Sequence, residues 1–447
     1  MRKKGIYSFG LPTKAKDIFS AALAEVEPAN LMRKAVRREG ERLFIRGKIV
    51  DLKSFENIFL VAFGKAAPDM AESLLRILGR RLSQGIVICR PDQVFSGGKI
   101  LCLPAVHPLP DKRNVRAAEE ILGLARKAGR RDLIFFLISG GGSAQLCLPM
   151  RPVALDEKRW VTEKLLKAGA GIIELNTVRK HLSAVKGGRL AEAAFPAAVV
   201  NLVISDVIGN DLENIASGPT YWDSSTYEDA VRVLKKYHLW TKTPRSLRET
   251  LLAGRRGKTA ETLKRGDRVF RKVSSFIIGD NLRALKAAAR RAKELGFRPV
   301  ILTSRDSGEA RKAAKHYVSI LENMAHARKS LKKPLSLLAG GELTVTVRGK
   351  GRGGRNTEFA LAALIELEKK RLPVFVASLG SDGVDGATDA AGAWVTPATT
   401  ALAKKLGVDP EKHLRDNDSY AFFKKVGGLI ITGPTHTNVM DLRLFLL

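Results

Sequence analysis

Residues 133–149 read LIFFLISGGGSAQLCLP, an uninterrupted apolar run that ends in serine and glycine. Apolar residues without polar alternation are typical of a strand that is buried on both faces of a parallel sheet. Ser139, three glycines and Ser143 follow directly. Because glycine loses more conformational freedom on folding than any other residue, three in succession indicate that something approaches the main chain closely.

Comparable apolar runs recur through the first half of the chain, at residues 58–63, 85–89 and 199–205. Segments with helical character separate them, and an amphipathic helix is predicted over residues 15–36. Alternating strands and helices are typical of an α/β layered domain. We therefore predict a Rossmann-like α/β/α N-terminal domain over residues 1–245.

The second half of the chain has a different pattern. Residues 221–272 are charged and helical in character, and they either connect two domains or cap the first. Residues 335–356 resemble two strands joined by Gly-Gly-Glu, and the apolar runs near 374–395 and 428–442 break into glycine, aspartate, threonine and asparagine. We predict a smaller α/β domain with a mixed sheet over residues 246–447, the boundary being approximate.

The composition favours a soluble globular protein of two domains. The chain has 447 residues, of which 45% are hydrophobic. No apolar stretch approaches the ~20 residues of a membrane span, and no signal-peptide pattern follows the basic N-terminus. The three cysteines form no CxxC pair, so we expect a cytoplasmic protein without a disulfide framework or a zinc site.

The net charge of +32 raises the alternative of a nucleic-acid-binding protein. The basic residues are spread along the chain, however, and aromatic residues make up only 6%, so no basic tract with interleaved stacking rings is present. We favour a uniformly cationic, solvated surface, which would also attract anionic substrates.

The loop that follows the strand at 133–138 is the first candidate ligand site. Ligands of open α/β sheets bind outside the carboxyl ends of the strands, and successive backbone N–H groups of a glycine-rich turn bind anions. The N-terminus of a helix that follows the loop would add a partial positive charge. The loop matches neither the GxxxxGK[ST] nor the GxGxxG pattern, and the alternative is a tight turn without a ligand. We predict phosphate contacts for its residues, which are Ser139, Gly140, Gly141, Gly142 and Ser143.

Lys65 is the second candidate. It follows the strand at 58–63 through Gly64 and precedes a helical segment, so its ammonium is predicted at the same edge of the sheet. A lysine at this place can neutralise a phosphate as a point charge. The alternative is an exposed surface lysine, which is the usual position of this residue type.

Two further loops in the second half combine charge with glycine. Residues 348–356, RGKGRGGRN, place four cations among four glycines. Arginine forks match phosphate or carboxylate geometry, and the glycines would let the backbone approach a small anionic ligand, which is the interpretation that we prefer. A mobile cationic loop and an RNA contact remain alternatives. Residues 380–392 carry Asp382, Asp385 and Asp389, which indicate a Mg²⁺ site, a hydroxyl-orienting base or internal ion pairs. Their spacing is not that of an EF-hand.

Asp206, at the end of the strand at 199–205, could hold a metal, orient a hydroxyl or cap a short helix. His107 and His181 lie near these segments and could act as bases, although a lone histidine is more often structural. A Ser-His-Asp hydrolase is poorly supported because no GxSxG motif occurs.

Taken together, these segments resemble the class II glycerate kinases, the family whose C-terminal half is called the MOFRL domain. The resemblance runs in family order from about residue 60 to the end. The resembling segments are FGKAA, VHPLPD, LISGGGSA, LNTVRKHLSAVKGGRLA, SDVIGNDLENIASGPT, GGELTVTVRGKGRGGRNTEFALA, GSDGVDGATDAAGAWV and TGPTHTNVMDL.

The resemblance implies a fold, an activity and a set of site residues. The family's fold is a larger Rossmann-like N-terminal domain and a smaller C-terminal one, with the active site in the cleft between them. Its activity is the phosphorylation of D-glycerate by ATP with a divalent cation, commonly at the 2-hydroxyl, which gives 2-phosphoglycerate and ADP. The family's proposed catalytic lysine and arginine match Lys65 and Arg355, and its GGGS loop matches Ser139–Ser143.

From these arguments we expect three groups of site residues, with ATP and Mg²⁺ as cofactors. The catalytic group is Lys65, Arg355 and Asp206, and the metal ligands are Asp206 and Asp382. The residues expected to bind substrate or nucleotide are Ser139, Gly140, Gly141, Gly142, Ser143, Lys186, Asn281, Arg352, Asp385, Asp389 and Asn438. The alternatives are a kinase for a related small hydroxy acid and a nucleic-acid-binding protein on the same fold. A homodimer is left open, and a membrane partner is not expected.

Overall fold

The computed structural model describes residues 10–91, 95, 98–327 and 334–447. They form two compact units. One comprises Leu31–Ile278, and the other combines the described residues up to Asn30 with Gly279–Leu447.

The strands of the described residues are β1 (Val36–Glu39), β2 (Arg42–Ile45), β3 (Lys48–Asp51), β4 (Asn57–Phe63), β5 (Gln84–Cys89), β6 (Ile100–Pro104), β7 (Asp132–Ile138), β8 (Ala198–Ile204), β9 (Val273–Gly279), β10 (Arg298–Asp306), β11 (Leu335–Gly341), β12 (Phe375–Gly380), β13 (Gly392–Val395), β14 (Leu429–Ile430) and β15 (Asp441–Leu446). The α-helices are α1 (Thr13–Glu25), α2 (Pro28–Ala35), α3 (Ala67–Leu78), α4 (Lys112–Lys127), α5 (Gly142–Gln145), α6 (Leu155–Lys167), α7 (Ile172–His181), α8 (Arg189–Ala194), α9 (Tyr227–Lys236), α10 (Arg245–Arg255), α11 (Asn281–Glu294), α12 (Ala310–Ala327), α13 (Arg355–Lys369), α14 (Pro397–Lys405), α15 (Pro410–Arg415) and α16 (Ser419–Val426).

The unit 31–278 is built on a sheet with the strand order β6-β5-β4-β7-β8-β9. The pairs β5–β6, β4–β5, β4–β7 and β7–β8 are parallel. This is the strand order of the Rossmann fold, in which the chain progresses outward in opposite directions from the two central strands. The two central strands here are β4 and β7, so the topological switch point lies at their carboxyl ends.

The continuous apolar runs predicted as buried strands are buried in the structure. All residues of β7 are buried, and β4 pairs with it from Asn57 opposite Asp132 to Phe63 opposite Ile138. Their side chains form one core with α4 and with Val199 and Val203 of β8. A strand covered on both faces needs apolar side chains at successive positions, which explains the absence of polar alternation.

The sequence did not predict one part of this unit, the sheet at residues 36–51, and it left open whether residues 221–272 cap a domain or connect two domains. Residues 36–51 form a small antiparallel sheet, β1-β2-β3, from short charged strands that carry little apolar pattern. The helices α9 and α10 bury Tyr227, Val231 and Leu251 in a second core with Val161 of α6 and Val178 of α7. The charged stretch at 221–272 therefore caps the first domain rather than connecting two domains.

The other unit contains a sheet with the order β10-β11-β15-β12-β13-β14. The pair β10–β11 is parallel, and the pairs β11–β15, β12–β15, β12–β13 and β13–β14 are antiparallel. The sheet is therefore mixed, as predicted. The helices α12 and α13 pack on it through a core that includes Val318, Phe359 and Phe445.

Three details of the sequence interpretation differ from the structure. The opening helix is broken in two at Pro28, where α1 has ended and α2 begins. Residues 335–356 hold one strand, β11, and Thr344 forms only an isolated bridge with Glu309. The strand β15 lies in the middle of the mixed sheet, although its sequence DLRLFL contains two charged residues.

The limits of the structural units also differ from the domains expected at 1–245 and 246–447. The strand β9 extends the parallel sheet, so the first unit continues to Ile278. The helix α1 packs on α11, where Arg291 pairs with Asp17 at 2.9 Å, so the N-terminal residues join the C-terminal unit.

Among the helices of the described residues, none has both the length and the apolar character needed to cross a membrane.

Candidate functional site

The turns that follow β4 and β7 are hydrogen-bonded to each other at the switch point. The Lys65 amide donates to the Gly140 carbonyl at 2.8 Å, and the Ser139 amide donates to the Phe63 carbonyl at 3.2 Å. The Ser139 hydroxyl accepts a hydrogen bond from the Ala66 amide at 3.0 Å. The sequence placed Lys65 and the glycine loop at one edge of the sheet, and the structure brings their backbones into direct contact.

Close packing by the protein's own atoms accounts for the glycines at this edge. Gly64 has a φ of +110°, and a Cβ there would lie 2.3 Å from the Ser139 hydroxyl oxygen. Gly141 has a φ of +84°, and a Cβ there would lie 3.2 Å from His107 and 3.4 Å from the Lys65 side chain. Both conformations favour glycine. Gly141 therefore lies between a lysine and a histidine, both of which reach the loop from neighbouring segments.

The helix that follows the glycine loop is shorter than expected. The sequence predicted a helix N-terminus behind the loop, but α5 comprises only Gly142–Gln145. Gln145, the last residue of α5, holds the turn that follows β4, because its Oε1 accepts a hydrogen bond from the Gly64 amide at 2.6 Å. The contribution of a helix macrodipole to this loop is therefore small, and the N–H groups and side chains around it dominate.

A third turn, at residues 215–218, packs against the glycine loop. The hydroxyls of Ser143 and Ser217 are 2.9 Å apart, and Ser217 donates to Asn176 Oδ1 at 3.0 Å. Ala216 and Ser217 have φ values of 51° and 62°, a left-handed conformation that costs a non-glycine residue about 1–3 kcal/mol. Such strain persists only where the surroundings determine the conformation, and it is concentrated at functional sites.

Three cations lie behind these two turns. Lys186 is fully buried, and its ammonium donates to the Ala216 carbonyl at 3.0 Å. Arg179 places Nη2 3.5 Å from the Ser143 carbonyl. Lys158, 4% exposed, donates to the Leu182 carbonyl at 3.2 Å. Lys186 was predicted as a ligand-binding residue, whereas Arg179 and Lys158 were not singled out.

Asp206 lies two residues beyond the end of β8, at the same edge of the parallel sheet. The preceding Ser205 is buried, and its hydroxyl accepts a hydrogen bond from the Val207 amide at 3.3 Å. Because β8 neighbours β7, the carboxylate follows the strand next to the glycine loop. Its assignment as a catalytic or metal-binding residue remains a prediction.

Arg355, in the other unit, is the first residue of α13 and is held by two carboxylates. Its Nε donates to Asp441 at 2.8 Å, and its Nη1 lies 2.8 Å from Glu342. Burial alone would lower the pKa of Arg355, but Asp441, Glu342 and Asp385 raise it above its ordinary value. Asp441 is fully buried and also accepts from Asn356 at 3.1 Å and from Arg443 at 3.3 Å.

The glycines of the basic loop pack against the protein itself. Cβ atoms at Gly349, Gly351 and Gly353 would lie 2.2–2.4 Å from atoms of Asp416, Asp418 or Ser419. The backbone amides of this loop also donate to these residues, for example Lys350 to Asp416 and Arg352 to Asp418, both at 3.0 Å. The sequence interpretation attributed these glycines to the approach of a ligand, and the structure attributes them to a turn around residues 416–419.

Two of the remaining predicted site residues of this unit, Asp385 and Asn281, are buried and hydrogen-bonded within the fold. Asp385 is buried and caps α13, accepting from the amides of Asn356 and Thr357 at 2.9 and 2.8 Å. Burial raises its pKa despite these bonds. Asn281, also buried, donates to the carbonyls of Val439 and Asp441 at 2.8 and 2.9 Å.

The other four predicted site residues of this unit are Arg352, Asp389, Asn438 and Asp382. The Arg352 guanidinium lies over the Tyr420 ring at 5.2 Å, and the Tyr420 hydroxyl donates to Asp389 at 2.7 Å. Asn438 accepts from the Met440 amide at 3.1 Å, and Asp382 accepts from the Val384 amide at 3.2 Å. The ligand roles proposed for all these residues remain predictions.

Side-chain clusters that could hold a metal by themselves do not occur in the part of the chain that the structure describes: no group of three or more His, Cys, Asp or Glu side chains converges there. Mg²⁺ normally uses one or two carboxylates together with phosphate oxygens rather than an all-protein cage. The metal assignments of Asp206 and Asp382 therefore remain predictions.

The structure adds residues that the sequence argument missed. Asp441 is the main partner of Arg355, yet it precedes an apolar run and carries no glycine-rich signal. Ser217 and Arg179 lie within segments that had been singled out, but only the fold shows that they reach Ser143. His107 was considered as a base without being chosen, and its contact with the Gly141 position places it beside the loop.

Comparisons with known proteins agree with this architecture. The model of a domain of unknown function, DUF4147, matches residues 14–252, and the model of the MOFRL family matches residues 335–441. The chain is 40% identical to a glycerate 2-kinase of Pyrococcus horikoshii over 440 residues, which cover 98% of this chain and 96% of that protein. It is 43% identical to a D-glycerate 2-kinase of Thermotoga maritima over 392 residues, or 87% and 90% of the two chains.

A solved structure gives the same result for the fold. The crystal structure of a glycerate kinase from Thermotoga maritima matches with a TM-score of 0.83 and 40% identity, covering 97% of this chain and 98% of that one. The two-part α/β fold and the sequence motifs thus occur together in relatives of nearly the same length. The chain therefore belongs to the class II glycerate kinase family, and its C-terminal part is a MOFRL domain.

Proposed function

We propose that this chain is an ATP-dependent D-glycerate 2-kinase, which forms 2-phosphoglycerate and ADP. The observation that carries the proposal is the hydrogen-bonded pair of turns at the switch point, where Lys65 meets the Ser139–Ser143 loop. Nearly full-length similarity to glycerate 2-kinases supports the choice of substrate. We place the reaction in the cytoplasm, in keeping with three free cysteines.

Phosphoryl transfer depends on positioning and charge neutralisation more than on covalent chemistry. In the unit 31–278, the amides of Ser139 and Gly142 donate within the fold, and the other amides of the glycine loop would bind phosphate or carboxylate oxygens, whose charge the Lys65 ammonium would offset. The backbone bond from Lys65 to Gly140 fixes the lysine and the loop relative to each other before a ligand arrives. Such pre-organisation avoids reorganisation in the transition state.

Arg355 would supply a second positive charge for the transferring phosphoryl group. Asp441, Glu342 and Asp385 together raise its pKa above the ordinary value, so Arg355 stays protonated at neutral pH. Asp441 binds through Nε and Glu342 through Nη1, which fixes the plane of the guanidinium. The role of Arg355 rests on its match to the family's arginine, and Asp441 is assigned a positioning role.

The cofactors proposed are ATP and Mg²⁺. When bound, Mg²⁺ would neutralise charge on the phosphate oxygens, with Asp206 and Asp382 as protein ligands. The same two aspartates are the candidates for accepting the proton of the glycerate hydroxyl. Carboxylates suit both tasks, because Mg²⁺ prefers oxygen ligands and general bases must accept a proton at neutral pH.

The aspartate assignments have a direct test. We would replace Asp206 and Asp382 by asparagine, singly and together, and measure kcat with D-glycerate. General-base catalysis is usually worth about 10²-fold or more, so the double variant should lose at least that factor. A double variant within about tenfold of the wild-type kcat would remove both the base and the metal assignments. The exposed Asp409, which caps α15, offers a control for the same substitution.

The activity itself is tested by incubating the purified protein with D-glycerate, ATP and Mg²⁺ and identifying the product by phosphorus NMR. We expect 2-phosphoglycerate. Formation of 3-phosphoglycerate would keep the kinase and change the position of transfer, and a kinase for a related hydroxy acid would release ADP only with that acid. Nucleic-acid binding, which the relatives do not support, would appear as a gel shift that persists at physiological salt.

A further inference from the structure

Lys186 combines complete burial with the absence of an acidic partner. Its ammonium has one hydrogen-bond acceptor in the described structure, the Ala216 carbonyl at 3.0 Å. Its neighbours Arg179 and Lys158 likewise contact only carbonyl oxygens, those of Ser143 and Leu182. Within residues 10–91, 98–327 and 334–447, no carboxylate forms an ion pair with any of these three side chains.

Burying positive charge without a counter-ion is unfavourable, and burial therefore lowers the pKa of each of these three groups. Burial lowers the pKa of Lys186 well below its ordinary value, and the charges of Arg179 and Lys158 lower it further, while Cys147 acts in the opposite direction. Burial also lowers the pKa of Lys158 to about 8. A buried charge normally has a partner, so these groups form an incomplete site.

The position of these cations links them to the glycine loop. Arg179 reaches the Ser143 carbonyl, and Lys186 reaches the carbonyl of Ala216 in the adjacent strained turn. The two turns are joined by the hydroxyls of Ser143 and Ser217. An anion that binds at this loop would therefore come close to both cations, and the open donors of Lys186 would gain an acceptor.

We propose that Lys186 and Arg179 form a buried subsite that is completed by an anionic oxygen of the substrate. The proposal rests on the proposed kinase function, because it assigns an oxyanion of one of the two substrates to this subsite. A carboxylate and a phosphate share the required chemistry. Burial disfavours the protonated form of Lys186, whereas pairing with an oxyanion favours it, so a proton that is taken up on binding comes from solvent.

The test is isothermal titration calorimetry of the full-length protein at pH 8 in two buffers with different ionisation enthalpies. D-glycerate is titrated in one arm, and a non-hydrolysable ATP analogue with Mg²⁺ in the other. We expect a net uptake of protons in one arm, since pairing with the bound oxyanion favours the protonated form of Lys186. The arm that shows it identifies the oxyanion as a carboxylate or as a phosphate.

Two substitutions and one control complete the design. Lys186→Met should abolish the proton uptake and weaken that ligand about 10- to 100-fold, the loss typical of a charge-assisted hydrogen bond. Arg179→Met should weaken the same ligand while the uptake remains. Lys167→Met makes the same change at an exposed lysine of α6 and should alter neither quantity.

The outcomes separate this inference from the proposed function. Equal affinity of the wild type and Lys186→Met for both ligands would overturn the subsite. An active glycerate kinase with this result would keep the function and lose the subsite. Binding that depends on Lys186 in a protein without kinase activity would keep the subsite and lose the function.

Discussion

Two buried lysines, six positions apart in one segment, differ in their hydrogen-bond acceptors. Lys180 is 2% exposed and is paired with Glu213 at 3.1 Å and with Asp223 at 2.9 Å. Lys186 is 0% exposed and contacts a backbone carbonyl. Both cost free energy to desolvate, but among the described residues carboxylates pair with Lys180 and not with Lys186.

The difference separates a structural charge from one that is available to a ligand. Burial alone would raise the pKa of Asp223, but Lys180, Ser225 and His181 hold it below its ordinary value, so the pair stays ionised. Lys186 faces further cations, and its pKa is lowered. Strongly shifted groups beside a cleft or loop are candidates for function, whereas shifts in complete ion pairs are often structural.

The largest effect is expected from breaking the complete pair. Lys180→Met leaves two carboxylates without their cation, and removing one partner of a buried pair typically costs about 3–5 kcal/mol of unfolding free energy. Lys186→Met removes a buried basic group that has no carboxylate partner among the described residues, so the free energy of unfolding at pH 7 should stay the same or rise. Urea denaturation of the two ligand-free variants, followed by circular dichroism, measures both.

The same experiment can contradict the distinction between Lys180 and Lys186. If Lys186→Met lost as much stability as Lys180→Met, the charge of Lys186 would have to be neutralised inside the fold, and the distinction between the two lysines would disappear. Lys167→Met, at an exposed position, gives the background cost of the substitution, which should be within about 0.5 kcal/mol.

A second, somewhat smaller effect concerns pH. The folded state lowers the pKa of Lys158 from 10.5 to about 8, so between these values the unfolded chain binds the additional proton. The free energy of unfolding should therefore rise as pH increases from about 8 to about 10.5, by up to about 3 kcal/mol for this group. Below pH 8 the destabilisation is fully present.

Lys158→Met isolates this contribution from other groups that titrate in the same range. The variant should be more stable than the wild type at pH 7 and should show a smaller increase between pH 8 and pH 10.5. Lys158 donates to the Leu182 carbonyl, which also accepts a hydrogen bond from the Met150 amide at 3.2 Å. The substitution therefore leaves this carbonyl with a hydrogen-bond donor. Parallel curves for the two proteins would show that Lys158 carries its charge without penalty.

Much of the fold followed from apolar runs, and its exceptions have physical causes. The strands β4, β7 and β8 were predicted because both faces are covered. The strand β15 was missed because Asp441 and Arg443 interrupt its apolar pattern. In the structure Arg443 is fully buried, pairs with Asp306 at 2.9 Å and lies over the Phe359 ring, so tertiary contacts compensate for the charge.

The site could be predicted only in part, for a similar reason. The edge formed by Lys65 and the glycine loop could be predicted, because both directly follow apolar runs that are typical of buried parallel strands, whose carboxyl ends lie at one edge of a sheet. Local sequence does not show that Lys180 has carboxylate partners and Lys186 does not, because Glu213 and Asp223 come from another part of the chain. Likewise, the glycines of the basic loop were attributed to a ligand, and only the structure shows the packing of residues 416–419 against them.

The smallest expected effect tests the strained turn that presents the Ala216 carbonyl to Lys186. Ala216 has φ 51° and ψ 20°, and a left-handed conformation costs an L-residue about 1–2 kcal/mol. Ala216→Gly removes this strain but increases the entropy of the unfolded chain, so the free energy of unfolding should change by no more than about 1 kcal/mol. The KM for the anionic substrate should nevertheless rise several-fold, since the turn is less constrained.

The control is Ala193→Gly in the right-handed helix α8, where no strain is relieved. Glycine there should lower the free energy of unfolding by about 0.5–1 kcal/mol and leave KM unchanged. If Ala216→Gly instead lost as much stability as Ala193→Gly at an unaltered KM, the left-handed turn would be an ordinary structural feature. The strain at Ala216 would then have no part in holding Lys186 for an anion, and the contrast between the two buried lysines would rest on their partners alone.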